Sequence, residues 1–164
     1  MLAEIYWITE NLAIMPHPRG NDWLEDEIVS YKNFGVEAVV SLLERSEAYD
    51  LEITKEDFWC QEKGIVFLSL PIADRDVPES FEQTRHLVEK LQSFIAENKK
   101  IAIHDRQGGG RSALIAACVL VLEGFSVEDA FEKIRTARGC EVPDTKEQVE
   151  WVRSFAQKVK NLGK

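Results

Sequence analysis

The chain has 164 residues, of which 45% are hydrophobic and 30% charged, a balance that is ordinary for one globular domain. Its net charge of −9 disfavours nucleic acid and anionic membranes as partners, because both would be repelled. No apolar run approaches the roughly 20 residues of a membrane span, and no basic-then-apolar leader is present. Cys60, Cys118 and Cys140 are widely spaced, which favours a reducing compartment over a disulfide framework. We therefore expect a single domain over residues 1–164, monomeric and cytoplasmic.

Short apolar runs bounded by polar or turn residues predict five β-strands. In chain order they are Ile5–Ile8, Leu12–Met15, Ala38–Leu43, Ile65–Leu70 and Ile101–His104. Helix signals fall between and after these strands. The predicted helices run from Asn21 to Phe34 with Gly35 as the stop, from Thr54 to Gly64, from Ser80 to about Asn98, from Ala113 to Glu123, from Ser126 to about Ala137, and from Thr145 onward.

Two of these helix starts carry a capping-box pattern, Ser80 with Gln83 and Thr145 with Gln148. Strands that alternate with helices favour a layered α/β fold with parallel strands. We therefore predict a single α/β domain whose central, mostly parallel sheet of about four or five strands is flanked by helices.

The most informative segment follows the last predicted strand, which ends at His104. Three glycines, residues 108–110, come next, and Arg111-Ser112 opens an apolar helix. Glycines let backbone N–H groups converge, a helix start adds partial positive charge, and arginine binds oxyanions through its planar fork. The segment therefore predicts a cradle for a phosphate group at the carboxyl end of a central strand.

His104 to Ser112 resembles the His-Cys-(five residues)-Arg-Ser/Thr loop of the cysteine-dependent protein tyrosine phosphatases, and most of all their compact dual-specificity branch. The resemblance extends from about Trp7 to the last helix. It implies the same fold and a phosphatase that needs no metal and no cofactor. Its substrate would be a phosphorylated protein or peptide, with phosphotyrosine expected first and phosphoserine or phosphothreonine as further candidates. Non-protein phosphates, which relatives also hydrolyse, remain open.

The resemblance also assigns roles within the segment. Asp105 occupies the position of the nucleophilic cysteine, which is the one departure from the family pattern. Arg111 would bind the phosphate, Ser112 would hydrogen-bond the nucleophile, and His104 would support it from behind. The backbone N–H groups that would hold the phosphate belong to Arg106, Gln107, Gly108, Gly109 and Gly110.

A general acid must protonate the leaving oxygen, and residues 70–78 resemble the family's acid loop. By this resemblance, Asp74 is the better candidate and Asp76 the alternative. The acid must be protonated at the working pH and must come within hydrogen-bond reach of the ester oxygen. Without the cradle, both would be interpreted as solvated loop aspartates. Residues 138–148 resemble a further loop beside the active site, although capping alone already explains Thr145 and Gln148.

The aspartate at position 105 keeps the negative charge of a thiolate but loses its nucleophilicity. Its carboxylate reaches about one bond further than a sulfur, so an oxygen would occupy the place of a phosphate oxygen. Losing a covalent nucleophile costs on the order of 10⁴–10⁶ in rate, so we expect the chain to be inactive. The intact Asp74, Arg111 and Ser112 favour an engineered change in an active parent. The alternative is a natural pseudophosphatase that acts as a phosphoprotein-binding module.

A third interpretation treats Asp105 as a true nucleophile. Aspartyl-phosphate phosphatases carry an Asp-x-Asp pattern after the first strand and use Mg²⁺. Here position 107 is Gln107 and the strand comes late in the chain. We therefore reject this interpretation and predict no metal site.

Overall fold

A computed structural model describes residues 4–163 and contains one five-stranded sheet. The strands are β1 (Tyr6–Trp7), β2 (Leu12–Met15), β3 (Val36–Ser41), β4 (Val66–Ser69) and β5 (Lys100–His104). Their order across the sheet is β1-β2-β5-β3-β4, and every neighbouring pair is parallel except β1 with β2. The predicted α/β fold with a mostly parallel sheet is confirmed, and β2 has the predicted bounds.

Helices connect and cover these strands. They are α1 (Leu24–Asn33), α2 (Arg45–Asp50), α3 (Glu56–Glu62), α4 (Phe81–Ala96), α5 (Gly110–Leu122), α6 (Val127–Arg138) and α7 (Lys146–Leu162). None of these helices is long and apolar enough to cross a membrane. The sequence did not predict α2. The start predicted at Thr54 was also wrong, because α3 begins after Lys55 without a side-chain cap.

The two faces of the sheet are buried against different sets of helices. Leu12 and Ile14 of β2 pack into a core with residues of α4 to α7, whereas Ala13 and Met15 pack into a second core with residues of α1 and α3. The alternation follows from strand geometry, because successive side chains point to opposite faces. Since helices cover both faces, β2 is apolar throughout rather than alternating.

Helix α5 holds the loop that precedes it in a fixed place. Its residues from Gly110 to Leu120 are all buried, and it packs against α4, α6 and α7. Thr145 and Gln148 form the predicted capping box at α7, and Ser80 caps α4 by accepting a hydrogen bond from Gln83 N–H. The segment between β5 and α5 is therefore anchored at both ends by core elements.

Candidate active site

A pocket of about 180 Å³ opens at the carboxyl end of β5. Its lining residues are Asp74, Arg75, Asp105, Arg106, Gln107, Gly109, Gly110, Arg111 and Asp144. They include seven of the ten site residues expected from the sequence, whereas His104, Gly108 and Ser112 do not line it. A larger groove of about 750 Å³ lies over α1 and the segment before α3, and its lining includes no residue of the loop 104–112. Most of the site residues expected from the sequence therefore line the smaller pocket.

The carboxylate of Asp105 occupies the inner face of the loop. Its Oδ1 accepts hydrogen bonds from the N–H groups of Gly108 (2.5 Å) and Gly109 (3.2 Å). Its Oδ2 accepts one from the Ser112 N–H at 3.0 Å. Only 3% of Asp105 is exposed. The loop therefore converges on an anion, as expected, but this anion is part of the chain.

The hydroxyl of Ser112, unlike its N–H group, makes no hydrogen bond to this carboxylate. Ser112 is fully buried, and its Oγ has no hydrogen-bond partner among residues 4–163. Leaving a buried hydroxyl unsatisfied costs roughly 1–3 kcal/mol. Four backbone N–H groups also have no acceptor among residues 4–163, those of Arg106, Gln107, Gly110 and Arg111. The Asp105 carboxylate therefore accepts hydrogen bonds from only some of the donors on the inner face of the loop.

The outer face of the loop is held by hydrogen bonds to its carbonyls. Arg138 donates from Nε to Gly108 O (2.9 Å) and from Nη2 to Gln107 O (3.3 Å), and the His17 N–H donates to Arg106 O (3.2 Å). In a planar trans peptide, the N–H points opposite to the C=O. Holding these carbonyls outward therefore directs the next N–H groups, those of residues 107–109, toward the pocket.

Glycine is required at position 108 for two reasons. Its φ is +74°, in the left-handed region, and a Cβ there would lie 2.7 Å from the backbone carbon of Met15 and 2.8 Å from the Pro16 nitrogen. Since neither backbone atom can rotate away as a side chain would, the loop passes β2 at a distance that only glycine permits.

Arg111 is buried and directed toward the pocket. Its guanidinium binds both carboxylate oxygens of Glu47, at 2.7 and 3.1 Å, and donates to Ile72 O at 2.8 Å. Burial lowers the pKa of Arg111, but the hydrogen bond and charge of Glu47, with the charges of Asp105 and Asp74, raise it by more in total, so the net shift is upward. Burial raises the pKa of Glu47, but Arg111, the Glu44 N–H and the charge of Arg106 together lower it by more, so the net shift is downward. Arg111 thus also links α5 to α2, a structural role that the sequence did not predict.

Of the two candidate acids, one lines the pocket and the other does not. Asp74 lines the pocket, and its Oδ1 lies 3.3 Å from Arg111 Nη2. Asp76 does not line it, and its carboxylate accepts a hydrogen bond from the Val77 N–H at 2.7 Å. The backbone oxygen of Asp76 accepts a hydrogen bond from Gln148 Nε2 at 3.0 Å. Gln148 is buried and lies outside the pocket lining, so it links two loops rather than contacting a ligand there.

His104, at the end of β5, does not line the pocket and is paired with a residue of α3. Its Nε2 is 2.7 Å from Glu56 Oε2, and both side chains are buried. Burial lowers the pKa of His104, but the charge and hydrogen bond of Glu56, together with the backbone oxygen and charge of Asp105, raise it by more in total, so the net shift is upward. The pair ties β5 to α3. Glu56 was not among the predicted site residues, because its partner is 48 positions away.

None of the cysteines lines the pocket. Cys60 and Cys118 are buried in the two cores, and burial raises the pKa of each thiol. Cys140 is exposed and follows the end of α6. Within residues 4–163, therefore, no thiol lines this pocket.

A family model and curated relatives each match more than half of this chain. The Tc-R-P family model, described as polymorphic toxin system, DSP-PTPase phosphatase, matches residues 13–125, more than half of the chain. Cyclin-dependent kinase inhibitor 3 of Rattus norvegicus is 27% identical over 138 residues, which cover 83% of this chain. The human protein of the same name is 28% identical over 130 residues, or 78% of the chain. The chain spans less than two thirds of these relatives, 65% and 61% of their lengths.

Solved structures share the fold over almost the full chain. A kinase associated phosphatase whose catalytic-site cysteine is substituted by serine has a TM-score of 0.89, 23% identity, and coverage of 98% of this chain and 97% of its own. Tk-PTP in its active form has a TM-score of 0.80, 28% identity, and coverage of 96% and 99%. The first likeness, at its low identity, bears on the fold alone.

Proposed function

Since the chain belongs to the family of DSP-PTPase phosphatases of polymorphic toxin systems, we propose that its pocket is a protein phosphatase site in which Asp105 replaces the nucleophilic cysteine. In the parent form, a cysteine thiolate at position 105 attacks phosphorus. Asp74 gives its proton to the leaving ester oxygen. Water then releases inorganic phosphate from the cysteinyl-phosphate, and the thiolate is restored. Phosphotyrosine in a protein or peptide is the proposed substrate, with phosphoserine and phosphothreonine as further candidates.

The observation that best supports this proposal is that only some of the hydrogen-bonding groups on the inner face of the loop have partners. Three N–H groups bind the Asp105 carboxylate, while the Ser112 hydroxyl beside it has no partner among the described residues. A sulfur at the shorter side chain of cysteine would leave the N–H groups for phosphate oxygens and accept from Ser112. A bare turn between strand and helix needs neither the convergence nor the buried hydroxyl.

With Asp105 in place, the proposed state of the chain is inactive. The carboxylate fills the oxyanion position and is a poor nucleophile there, so turnover is lost. An engineered change in an active parent is the favoured origin, since the buried Ser112 hydroxyl has no hydrogen-bond partner among residues 4–163. The alternative is a natural pseudophosphatase that binds a phosphorylated partner through the pocket or its rim.

Restoring the thiol tests the proposal. The Asp105→Cys variant is expected to hydrolyse a generic aryl phosphate, with inhibition by vanadate and resistance to EDTA. The unchanged chain and an Asp105→Ser control are expected to be inactive, because serine has the size of cysteine without its thiolate. The result against the enzyme is an Asp105→Cys protein that is folded but as inactive as the serine control. That outcome favours the binding module.

A further inference from the structure

The pocket is lined by charges of both signs. Its cations are Arg75, Arg106 and Arg111, and its anions are Asp74, Asp105 and Asp144. A site that binds only a phosphate dianion needs positive charge, and the family role proposed above explains Asp74 and the position of Asp105. It does not explain Asp144, which belongs to the loop between α6 and α7.

Asp144 is held against the start of α5. A Cβ built on Gly110 would lie 2.2 Å from Asp144 Oδ2, and one built on Gly109 would lie 3.8 Å from Asp144 Oδ1. The backbone of Asp144 is fixed as well, because its N–H donates to the buried Gln148 Oε1 at 2.9 Å. The carboxylate therefore covers the two glycines at the edge of the cradle, and its place is set by the buried capping residue of α7.

The Asp144 carboxylate differs from the other two in its partners. Asp105 is bound by backbone N–H groups, and Asp74 lies 3.3 Å from Arg111. The carboxylate of Asp144 has no ion-pair or hydrogen-bond partner within residues 4–163, and the residue is exposed at the pocket mouth. It is thus a positioned negative charge that a ligand's cation can reach.

We infer that Asp144 is a specificity-determining residue that selects phosphopeptides with a basic residue next to the phosphorylated one. This inference rests on the proposed function of the pocket. While the cradle binds the phosphate, Asp144 attracts an adjacent lysine or arginine and repels an adjacent glutamate. It also disfavours ligands that carry a second anionic group beside the first, because that group would face the carboxylate at the rim.

The test uses the Asp105→Cys protein and two phosphotyrosine peptides that differ only in the flanking residues, lysine in one and glutamate in the other. The quantity is the ratio of their kcat/KM values at about 0.15 M salt, where distant charges are screened. We expect Asp144→Asn to lower the lysine-to-glutamate ratio by roughly three- to ten-fold, since one attraction and one repulsion, each worth about two- to three-fold, are lost.

Glu141→Gln is the matched control. Glu141 lies three residues before Asp144 in the same loop, its side chain is 94% exposed, and it does not line the pocket. Removing this charge tests whether the acidic surface as a whole produces the preference, and we expect the ratio to stay unchanged.

Each outcome has a separate meaning. If the Asp105→Cys protein hydrolyses an aryl phosphate but its peptide ratio is the same with and without Asp144, this inference is overturned and the proposed function stands. An equal fall in the ratio for Glu141→Gln overturns it too, because the effect is then one of general surface charge. If the Asp105→Cys protein hydrolyses nothing, both proposals fail together.

Discussion

The two faces of the loop 104–112 differ in how many of their hydrogen-bonding groups have partners. On the outer face, Arg138 and the His17 N–H bind three successive carbonyls, those of residues 106–108. On the inner face, the Asp105 carboxylate binds three N–H groups, but the Ser112 hydroxyl has no partner among the described residues. The outer bonds fix the shape of the loop, whereas the inner bonds determine what the loop can bind. Changes on the two faces should therefore have separable effects.

The largest effect is expected from Gly108→Ala on the outer face. The new methyl group would overlap the backbone of Met15 and Pro16 at a φ of +74°. We expect a loss of about 3 kcal/mol or more in the free energy of unfolding, from the left-handed backbone and the overlap together. Urea denaturation of both proteins measures it.

Gly139→Ala is the control for that substitution. Its φ is +78°, nearly the same, but nothing lies within 4 Å of the added Cβ. The expected loss is about 1 kcal/mol, the cost of the backbone conformation alone. Equal losses at the two glycines would mean that the close passage against β2 does not constrain the loop.

A smaller effect is expected from Arg138→Met. This variant keeps the stem of the side chain but removes the hydrogen bonds to the carbonyls of Gln107 and Gly108. We expect a loss of about 1–2 kcal/mol in stability. In the Asp105→Cys background, we expect a fall of roughly ten-fold in kcat/KM for an aryl phosphate, because misdirected N–H groups bind the transition state less well. Arg153→Met, on the exposed face of α7, is the control. It should change kcat/KM by less than about two-fold and the free energy of unfolding by less than about 0.5 kcal/mol. An unchanged kcat/KM for Arg138→Met would show that the outer bonds do not position the loop.

The smallest effect is a dependence of stability on pH that comes from behind the loop. The pKa of His104 is raised above its ordinary value of 6.5, because the combined effects of Glu56, the larger contributor, and Asp105 exceed the opposing effect of burial. The stabilisation from this pair is therefore complete below about pH 6.5 and is lost as the pH rises through the higher pKa of the folded state. We expect the free energy of unfolding to fall in that direction.

Glu56→Gln should flatten that part of the pH profile, since the charge that raises the pKa of His104 is removed. His86→Gln, at an exposed position on α4, should leave the profile unchanged. Measuring urea unfolding from about pH 5.5 to about pH 8.5 compares the three proteins. A profile that keeps its slope in Glu56→Gln would contradict the assignment to this pair.

The sequence predicted the sheet well because its signals are local. Leu12–Met15 is an apolar run with polar neighbours, and the structure gives β2 the same bounds. The capping box of Thr145 and Gln148 is likewise a pattern within four residues. Helix α2 escaped prediction because it is short, has Glu44 rather than serine or threonine at its N-cap, and exposes Tyr49, one of its few apolar residues.

The parts of the site that the sequence missed depend on contacts between distant residues. Glu47 binds Arg111 across 64 positions, and Arg138 binds Gly108 across 30. Asp144 reaches Gly110 only because α6 and α7 pack beside α5. Nothing near these residues in the sequence distinguishes them from solvated surface charges. The glycines and Arg111, in contrast, carry their signal within one loop.

The most direct test of the central claim is a calorimetric titration of tungstate, a tetrahedral oxyanion, into the unchanged chain and into Asp105→Ser. The claim is that the loop is an oxyanion cradle whose own carboxylate fills it. We predict no measurable binding to the unchanged chain and binding in the micromolar range to Asp105→Ser, in which the N–H groups are released. Equal binding by both proteins, or none by the folded serine variant, would contradict the account.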